Sequence, residues 1–149
     1  MQNENGIFNK QISIRWSDLD ANFHVRHSVY YDFGAQQRLD ILNSLGLTID
    51  VMKEGNFGPV LLREECVFRR EIRLNDRVII TAKLARLSAD GSRWTIIHEF
   101  LGAGETLLAT LTVDGGWIDT NLRKFVPSTP QIVKEVFEGI PRSESFVQA

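Results

Sequence analysis

Cysteine and long apolar runs are scarce in this sequence, and each scarcity excludes a class of protein. The one cysteine, Cys66, cannot form a disulfide within the chain or a multi-cysteine metal site, and it suits a reducing compartment. No apolar stretch approaches the roughly 18 residues that a membrane-spanning helix needs. Because the first residues also lack the basic and apolar regions of a signal peptide, we expect a cytoplasmic protein without a membrane span.

A strong excess of charge of one sign is also lacking. Seventeen Lys and Arg residues oppose nineteen Asp and Glu residues, which leaves a net charge of −2. This balance disfavours a protein held on nucleic acid mainly by its net charge, so we expect no nucleic-acid partner. Hydrophobic residues make up 43% and charged residues 24% of the 149 positions, as is typical of globular proteins. Without repeats or a flexible linker, the chain is expected to form a single domain over residues 1–149.

The hydrophobic periodicity predicts one long helix between a first strand and a series of later strands. Alternation over residues 11–17 predicts the first strand, and a helical period then runs from Ser28, a candidate N-cap, to Gly46. A short second helix is expected at 48–54. Four further strands are predicted at 61–74, 77–87, 93–101 and 106–119, followed by a short helix that begins near Thr129 and Pro130.

The long helix is predicted to form the centre of the fold. One side of it is expected to include Tyr31, Ala35, Arg38 with Leu39, Leu42 and Leu45, and Phe33 and Ile41 extend the apolar surface around the helix. Consecutive strands joined by tight turns pair antiparallel. A largely apolar helix and one sheet must bury each other, which predicts an α+β fold with an antiparallel five- to six-stranded sheet wrapped around the helix. The open edges of such a sheet favour strand-to-strand dimerisation.

The loop between the first strand and the long helix carries the residues best suited to chemistry. Asp18 and Asp20 lie in this loop, close to the free N–H groups and the positive dipole end at the start of the helix. One carboxylate with oriented N–H donors is the minimum apparatus for acyl transfer. Acidic residues in such loops also serve as turn formers or caps, so spacing alone leaves both interpretations open. His24 and His27 lack the spacing of zinc ligands, so we expect no metal site.

The same stretch resembles the signature of hotdog-fold thioesterases related to 4-hydroxybenzoyl-CoA thioesterase. Asp18 and Asp20 match the Asp-x-Asp pair that follows the first strand in that family. Val25, His27 and Tyr30 match the positions five, seven and ten residues after the second aspartate. The resemblance implies the hotdog fold and an acyl-CoA thioesterase that needs no tightly bound cofactor. It also implies a homodimer or a dimer of dimers, with acyl-CoA sites between protomers.

The resemblance further implies a role for individual residues. Asp20 would be the catalytic carboxylate, acting either as the nucleophile or as the base that activates water. The backbone amide of His27 or Ser28 would polarise the thioester carbonyl. The residues expected to contact the substrate are Phe23, His24, Tyr30, Phe57, Arg69 and Arg70. The two arginines have two interpretations: they contact the CoA phosphates, or they only form a basic strand face in solvent, which is the simpler interpretation.

Two residues in the loop depart from the pattern of the family. Many members have glycine and asparagine where this chain has Phe23 and Arg26. Phe23 lacks glycine's easy access to positive φ, which would give the loop another path. Arg26 places a charge beside the presumed acyl site. These departures leave open a non-catalytic protein that binds acyl thioesters. A hotdog dehydratase is a further alternative, although the Asp-x-Asp loop is not its signature.

Overall fold

The fold consists of one curled sheet and three helices, as seen in a computed structural model that describes residues 5–149. The helices are α1 (Val29–Ser44), α2 (Ile49–Gly55) and α3 (Gln131–Glu138). The strands are β1 (Asn5–Gly6), β2 (Asn9–Ile12), β3 (Phe57–Phe68), β4 (Val78–Thr81), β5 (Lys83–Leu87), β6 (Arg93–Leu101), β7 (Leu107–Asp119), β8 (Lys124–Phe125) and β9 (Arg142–Gln148). Within the described residues, no helix is both long enough and apolar enough to span a membrane.

Strands β6 and β7 form the middle of the sheet. They pair with each other antiparallel, and β7 pairs antiparallel with β3 on its other side. On the side away from β7, β6 pairs with both β4 and β5. Strand β4 pairs in turn with β2, and β5 pairs with β9. Strand β3 therefore forms one edge of the sheet, while the opposite side ends at β1, which pairs with β2, and at β9. The antiparallel pairing expected for strands joined by tight turns is confirmed for β5 with β6 and for β6 with β7, whereas β3 pairs with β7 and not with the next strand, β4.

The final strand, β9, is absent from the sequence-based expectation. It pairs with β5 in parallel, because α3 lies between β8 and β9 and carries the chain across the sheet. Most of its side chains are exposed, so its sequence has no alternation of buried and polar residues that would predict a strand. A strand at the edge of a sheet gains its backbone hydrogen bonds from one neighbour and needs little apolar burial.

Three of the predicted strands have clearly different boundaries in the structure. The strand expected at 61–74 is β3, Phe57–Phe68, which begins earlier and ends before the loop that pairs with residues 24 and 25. The first strand ends at Ile12 rather than Ser17, because residues 16–18 form a 3₁₀ turn. The strand expected at 77–87 is divided into β4 and β5 at Ala82, whose amide donates a hydrogen bond to the Phe8 carbonyl, 3.0 Å away.

Helix α1 packs against the sheet along a face that matches the predicted one only in part. Its buried residues include Tyr30, Gly34, Arg38 and Ile41, whereas Ala35 is exposed. The close approach occurs at Gly34, where a Cβ atom would lie only 2.4 Å from Leu111 Cδ2 on β7. Arg38, Ile41 and Leu42 are buried as expected, whereas Gly34 and Gln37 are buried although neither belongs to the predicted face. The central helix and the α+β arrangement are nevertheless as predicted.

Candidate active site

The two aspartates of the loop have different environments. Asp18 is buried, and its carboxylate accepts hydrogen bonds from the Arg15 amide at 2.9 Å and from Arg15 Nη2 at 2.8 Å. The Arg15 guanidinium and these hydrogen bonds lower the pKa of Asp18 below its ordinary value. Asp18 therefore holds the loop together and is not available to a substrate.

Asp20 is exposed and keeps one carboxylate oxygen free. Its Oδ1 accepts hydrogen bonds from the amides of Asn22 at 2.8 Å and His24 at 3.2 Å. Its Oδ2 accepts none from the described part of the chain. The loop thus orients one carboxylate oxygen by two backbone donors and leaves the other available for chemistry.

Asp20 lines an open cleft of about 320 Å³ between the loop, the start of α1 and the chain after β3. Six of the residues expected from the sequence meet in this cleft, namely Asp20, His24, His27, Tyr30, Arg69 and Arg70. The cleft also contains Phe68 and Glu71, which the sequence analysis does not single out. Most of the predicted site is therefore brought together in one place.

Backbone pairing between two distant segments builds this cleft. The Val25 amide donates to the Ile72 carbonyl at 2.8 Å, and His24 forms an antiparallel bridge with Arg73. These contacts bring the arginines that follow β3 alongside the Asp20 loop. Nothing in the spacing of the sequence indicates this pairing, which explains why Glu71 is not predicted as a cleft residue.

Three of the predicted site residues do not line the cleft. Phe57 is buried at the start of β3, with its ring 5.9 Å from the ring of Trp117. Ser28 lies at the start of α1, and Phe23 is 64% exposed beside Trp16. Phe23 adopts a φ of 62°, so the replacement of glycine does not keep this position out of the left-handed region.

The start of α1 offers backbone donors beside the cleft. Ser28 occupies the N-cap position, but its backbone is already helical and its side chain makes no capping hydrogen bond. Its Oγ instead accepts a hydrogen bond from Arg26 Nε at 3.2 Å. Among the described residues, the amides of His27 and Ser28 have no hydrogen-bond partner. Two free N–H groups therefore remain at the positive end of the helix dipole.

The inner wall of the cleft is aromatic, and the buried hydroxyl of Tyr30 in this wall stays protonated. Tyr30 packs edge-to-face against Phe68, with ring centroids 4.9 Å apart, and against Phe100 at 5.2 Å. Burial raises the pKa of Tyr30 to about 12, and nearby acidic groups that include Asp20 contribute to this increase. Tyr30 is therefore an O–H donor at neutral pH. The arginines are exposed, so the cleft runs from an apolar wall to a basic rim.

The described residues contain no group of three or more His, Cys, Asp or Glu side chains arranged to hold a metal ion. The chemistry available in the cleft is that of a carboxylate, backbone amides, a phenol and two imidazoles.

Comparisons with known proteins bear on the family and the fold of the chain. A family model described as the thioesterase-like superfamily matches residues 14–136, which include the loop, α1 and the cleft. No curated protein matches the chain by sequence.

Solved structures share the fold. A 1,4-dihydroxy-2-naphthoyl-CoA thioesterase from Synechocystis is 20% identical with a TM-score of 0.77, over 87% of this chain and 94% of that one. A Staphylococcus aureus hypothetical protein in complex with CoA is 16% identical with a TM-score of 0.82, over 94% and 89%. A probable thioesterase from Escherichia coli is 21% identical with a TM-score of 0.77, over 89% and 98%. At these identities the similarity establishes the fold alone.

Proposed function

The chain belongs to the thioesterase-like superfamily, and we propose that it hydrolyses an acyl-CoA thioester to the free acid and CoA. Family membership confirms the resemblance and the hotdog fold expected from the sequence, and it supports acyl-thioester hydrolysis in general. The observation that carries the finer proposal is that Asp20, with one available carboxylate oxygen, and His27, whose amide has no partner among the described residues, line the same cleft.

Two reaction routes fit this arrangement. In one route Asp20 Oδ2 attacks the thioester carbon, the C–S bond breaks, and water hydrolyses the resulting anhydride. In the other route Asp20 takes a proton from water as that water attacks the same carbon. In both routes the carbonyl oxygen gains negative charge, which the amides of His27 and Ser28 would stabilise. The leaving CoA thiolate takes up a proton from solvent or from the reprotonated Asp20.

The rim and wall of the cleft support a CoA thioester as substrate. The exposed guanidinium groups of Arg69 and Arg70 would contact the CoA phosphates. Tyr30 and Phe68 offer the acyl group an apolar surface next to the reacting carbon. A structurally similar protein bound to CoA agrees with this choice of ligand. His24 and His27 would contact the substrate near the thioester.

We expect the active form to be a homodimer or a dimer of dimers. The edge strand β3 exposes Leu61, Leu62 and Val67, and Phe68 at its end lines the cleft. Pairing of two β3 edges would cover this apolar surface and set a second protomer beside each cleft. The single free cysteine suits the reducing cytoplasm, where we expect the protein to act.

The sharpest test replaces the Asp20 carboxylate by an amide of the same shape. Asp20→Asn is expected to lower kcat/KM for acyl-CoA hydrolysis at least about a hundredfold, because it removes the base or nucleophile. Its urea midpoint should stay close to that of the wild type, since Asp20 is exposed. Asp32→Asn, which neutralises another exposed carboxylate in the first turn of α1, is the matched control and should keep full activity. Equal rates for all three proteins would remove Asp20 from the mechanism.

The non-catalytic alternative predicts a different result from the same proteins. A binding protein would be stabilised by acyl-CoA in a thermal shift assay without releasing any free thiol. Arg26, whose charge motivates this alternative, does not line the cleft and instead contacts the Ser17 carbonyl and Ser28 Oγ. Its position therefore gives no support to a blocked site.

A further inference from the structure

Glu71 is a second carboxylate in the cleft, and the proposed hydrolysis does not use it. It lines the cleft together with Asp20 and His24. Arg73 Nη2 lies 3.1 Å from Glu71 Oε1, and both side chains of this ion pair are exposed. Because an exposed ion pair contributes little to stability, Glu71 is a candidate for a role in the reaction.

Backbone pairing sets Glu71 on the same side of the chain as His24. His24 forms an antiparallel bridge with Arg73, and residues directly opposite each other in such a pair share one side. Ile72 is buried, whereas Glu71 and Arg73 are exposed, so these two side chains also project to one side. Glu71 is therefore the diagonal neighbour of His24, a position within reach of a long side chain.

The charge of Glu71 reflects this arrangement. Its own backbone amide, the Arg73 guanidinium and the positive charge of a protonated His24 lower the pKa of Glu71 below its ordinary value. Glu71 is therefore a carboxylate at neutral pH, and it attracts an imidazole that carries a proton.

His24 lies beside the proposed catalytic carboxylate, and its ring is free to bind a substrate. Its amide donates to Asp20 Oδ1 at 3.2 Å, and the Asp20 amide donates to the His24 carbonyl at 2.8 Å. Neither ring nitrogen of His24 has a hydrogen-bond partner among the described residues. The cleft therefore contains an imidazole with two unused nitrogens next to Asp20.

The two histidines of the cleft differ in their position relative to the substrate. The free amide of His27 lies at the start of α1, where the carbonyl oxygen of the thioester would bind. Arg69 and Arg70, which would contact the CoA phosphates, directly precede Glu71 in the chain. The CoA side of the thioester would thus lie next to Glu71 and its neighbour His24, and the leaving sulfur belongs to that side.

We propose that His24 is the general acid of the thioesterase reaction and that Glu71 is the positioning residue that holds its imidazole in the protonated form. As the C–S bond breaks, a His24 N–H bond breaks and the proton moves to the CoA sulfur, which leaves as the thiol. The water that hydrolyses the acyl group releases a proton, and the imidazole takes it up. The proposal rests on the proposed thioesterase function, and the experiments below separate the failure of one from the failure of the other.

Leaving groups of different basicity test the general acid. An alkyl thiolate such as that of CoA is basic and needs a proton, whereas a nitrothiophenolate leaves without one. We expect His24→Gln to lower kcat/KM for octanoyl-CoA about a hundredfold and Glu71→Gln to lower it about tenfold. Both substitutions should lower kcat/KM for the octanoyl thioester of 4-nitrothiophenol less than about threefold.

Glu65→Gln is the matched control for Glu71→Gln. Glu65 is an exposed carboxylate that contacts Arg63, two positions away in the chain, as Glu71 contacts Arg73. It does not line the cleft, so its replacement should change neither rate. Glu71→Asp keeps the charge and should recover part of the rate with octanoyl-CoA.

Two kinetic results would overturn the proposal and leave the thioesterase function standing. An equal loss with both thioesters in Glu71→Gln would show that Glu71 supports the structure of the cleft and not the proton transfer. A loss confined to octanoyl-CoA in His27→Gln, and absent in His24→Gln, would assign the general acid to His27.

The pH dependence gives a second readout that a structural role would not change. Besides Glu71, the charged or titratable groups around His24 are Asp20, His27, Tyr30, Arg69, Arg70 and Arg73. All of them are present in both the wild type and Glu71→Gln. The deficit of Glu71→Gln with octanoyl-CoA should shrink as the pH falls, because an acidic medium protonates an imidazole without help from a carboxylate. A deficit that stays constant with pH would contradict the proposal.

The interaction of the two side chains can be measured without turnover. In ¹³C spectra of the labelled protein, the Glu71 carboxyl group should titrate at a higher pH in His24→Gln than in the wild type, because the charge that lowers its pKa is removed. His27→Gln should leave this titration unchanged. An unchanged titration in His24→Gln would overturn the pairing. If the wild type hydrolyses neither thioester, the thioesterase function fails and the general acid with it, while this titration still decides whether Glu71 and His24 interact.

Discussion

The behaviour of single residues in this protein depends on where the backbone places them, and His98 is the clearest example. It is fully buried behind α1, where burial and the neighbouring Arg38 charge lower its pKa to about 3. In the unfolded chain a histidine has a pKa of about 6.5. Between these values the unfolded chain binds a proton that the folded protein does not. The free energy of unfolding must therefore decrease as the pH falls through this interval.

We expect a loss of about 1.4 kcal/mol in the free energy of unfolding per pH unit below about pH 6, measured by urea denaturation. His98→Gln should abolish the slope between about pH 6 and pH 5, because glutamine can replace its hydrogen bonds to Gln37 and Arg38 without taking up a proton. His24→Gln, which changes a histidine of the cleft, should retain the slope. A slope of the same size in His98→Gln would show that another group titrates in this interval.

The site residues differ in how far the sequence predicts them. Asp20, His27 and Tyr30 lie within one short stretch, so their meeting depends on local geometry that a motif can carry. Arg69 and Glu71 join them through backbone pairing with a distant loop, which no local pattern encodes. From the sequence, Arg69 and Arg70 could be proposed as site residues only because they form part of a basic cluster. Phe57 is an error of the opposite kind. An aromatic side chain suits a substrate pocket, but the Phe57 ring packs on Trp117 in the core.

The boundaries of a strand were predictable where its residues alternate in burial along the whole strand. Strand β6 matches its predicted boundaries because its buried and partly exposed residues alternate along its entire length. Strand β9 has no such pattern and is held by hydrogen bonds to β5. The buried face of α1 is predicted only in part, because Gln37 is buried with polar partners and an apolar count treats such a residue as surface. Hydrophobic periodicity therefore identifies the helices and most strands but does not identify polar side chains that are buried.

The two helix starts give an element-scale prediction. At α2, Thr48 Oγ1 accepts a hydrogen bond from the Val51 amide at 3.2 Å, whereas Ser28 makes no such bond at α1. We expect Thr48→Ala to lower the free energy of unfolding by about 1 kcal/mol, and Ser28→Ala by less than about 0.5 kcal/mol. Urea denaturation of the two variants in parallel measures both values.

An equal loss in both variants would show that Ser28 caps α1 in solution. That result would also weaken the oxyanion proposal, since a capped helix start has fewer free amides to offer a substrate.

At the scale of the whole molecule, one edge of the sheet is apolar and lies next to the site. Strand β3 exposes Val67 with 42% of its surface accessible, close to the cleft residue Phe68. The opposite edge exposes Val147 of β9, at 56%. Both are valines on edge strands, so they form a matched pair for testing which edge joins the protomers.

Light scattering after size exclusion should give the wild type a mass at least twice the 17.0 kDa of the chain. Val67→Glu should shift the protein toward the monomer. A two-fold interface between β3 edges contains residue 67 of both protomers, so the substitution places two carboxylates close together. It should also lower acyl-CoA hydrolysis, since each cleft would lose the neighbouring protomer. Val147→Glu should change neither property. Dissociation by Val147→Glu instead of Val67→Glu would place the interface at β9, far from the cleft, and the partner would then have no part in the reaction.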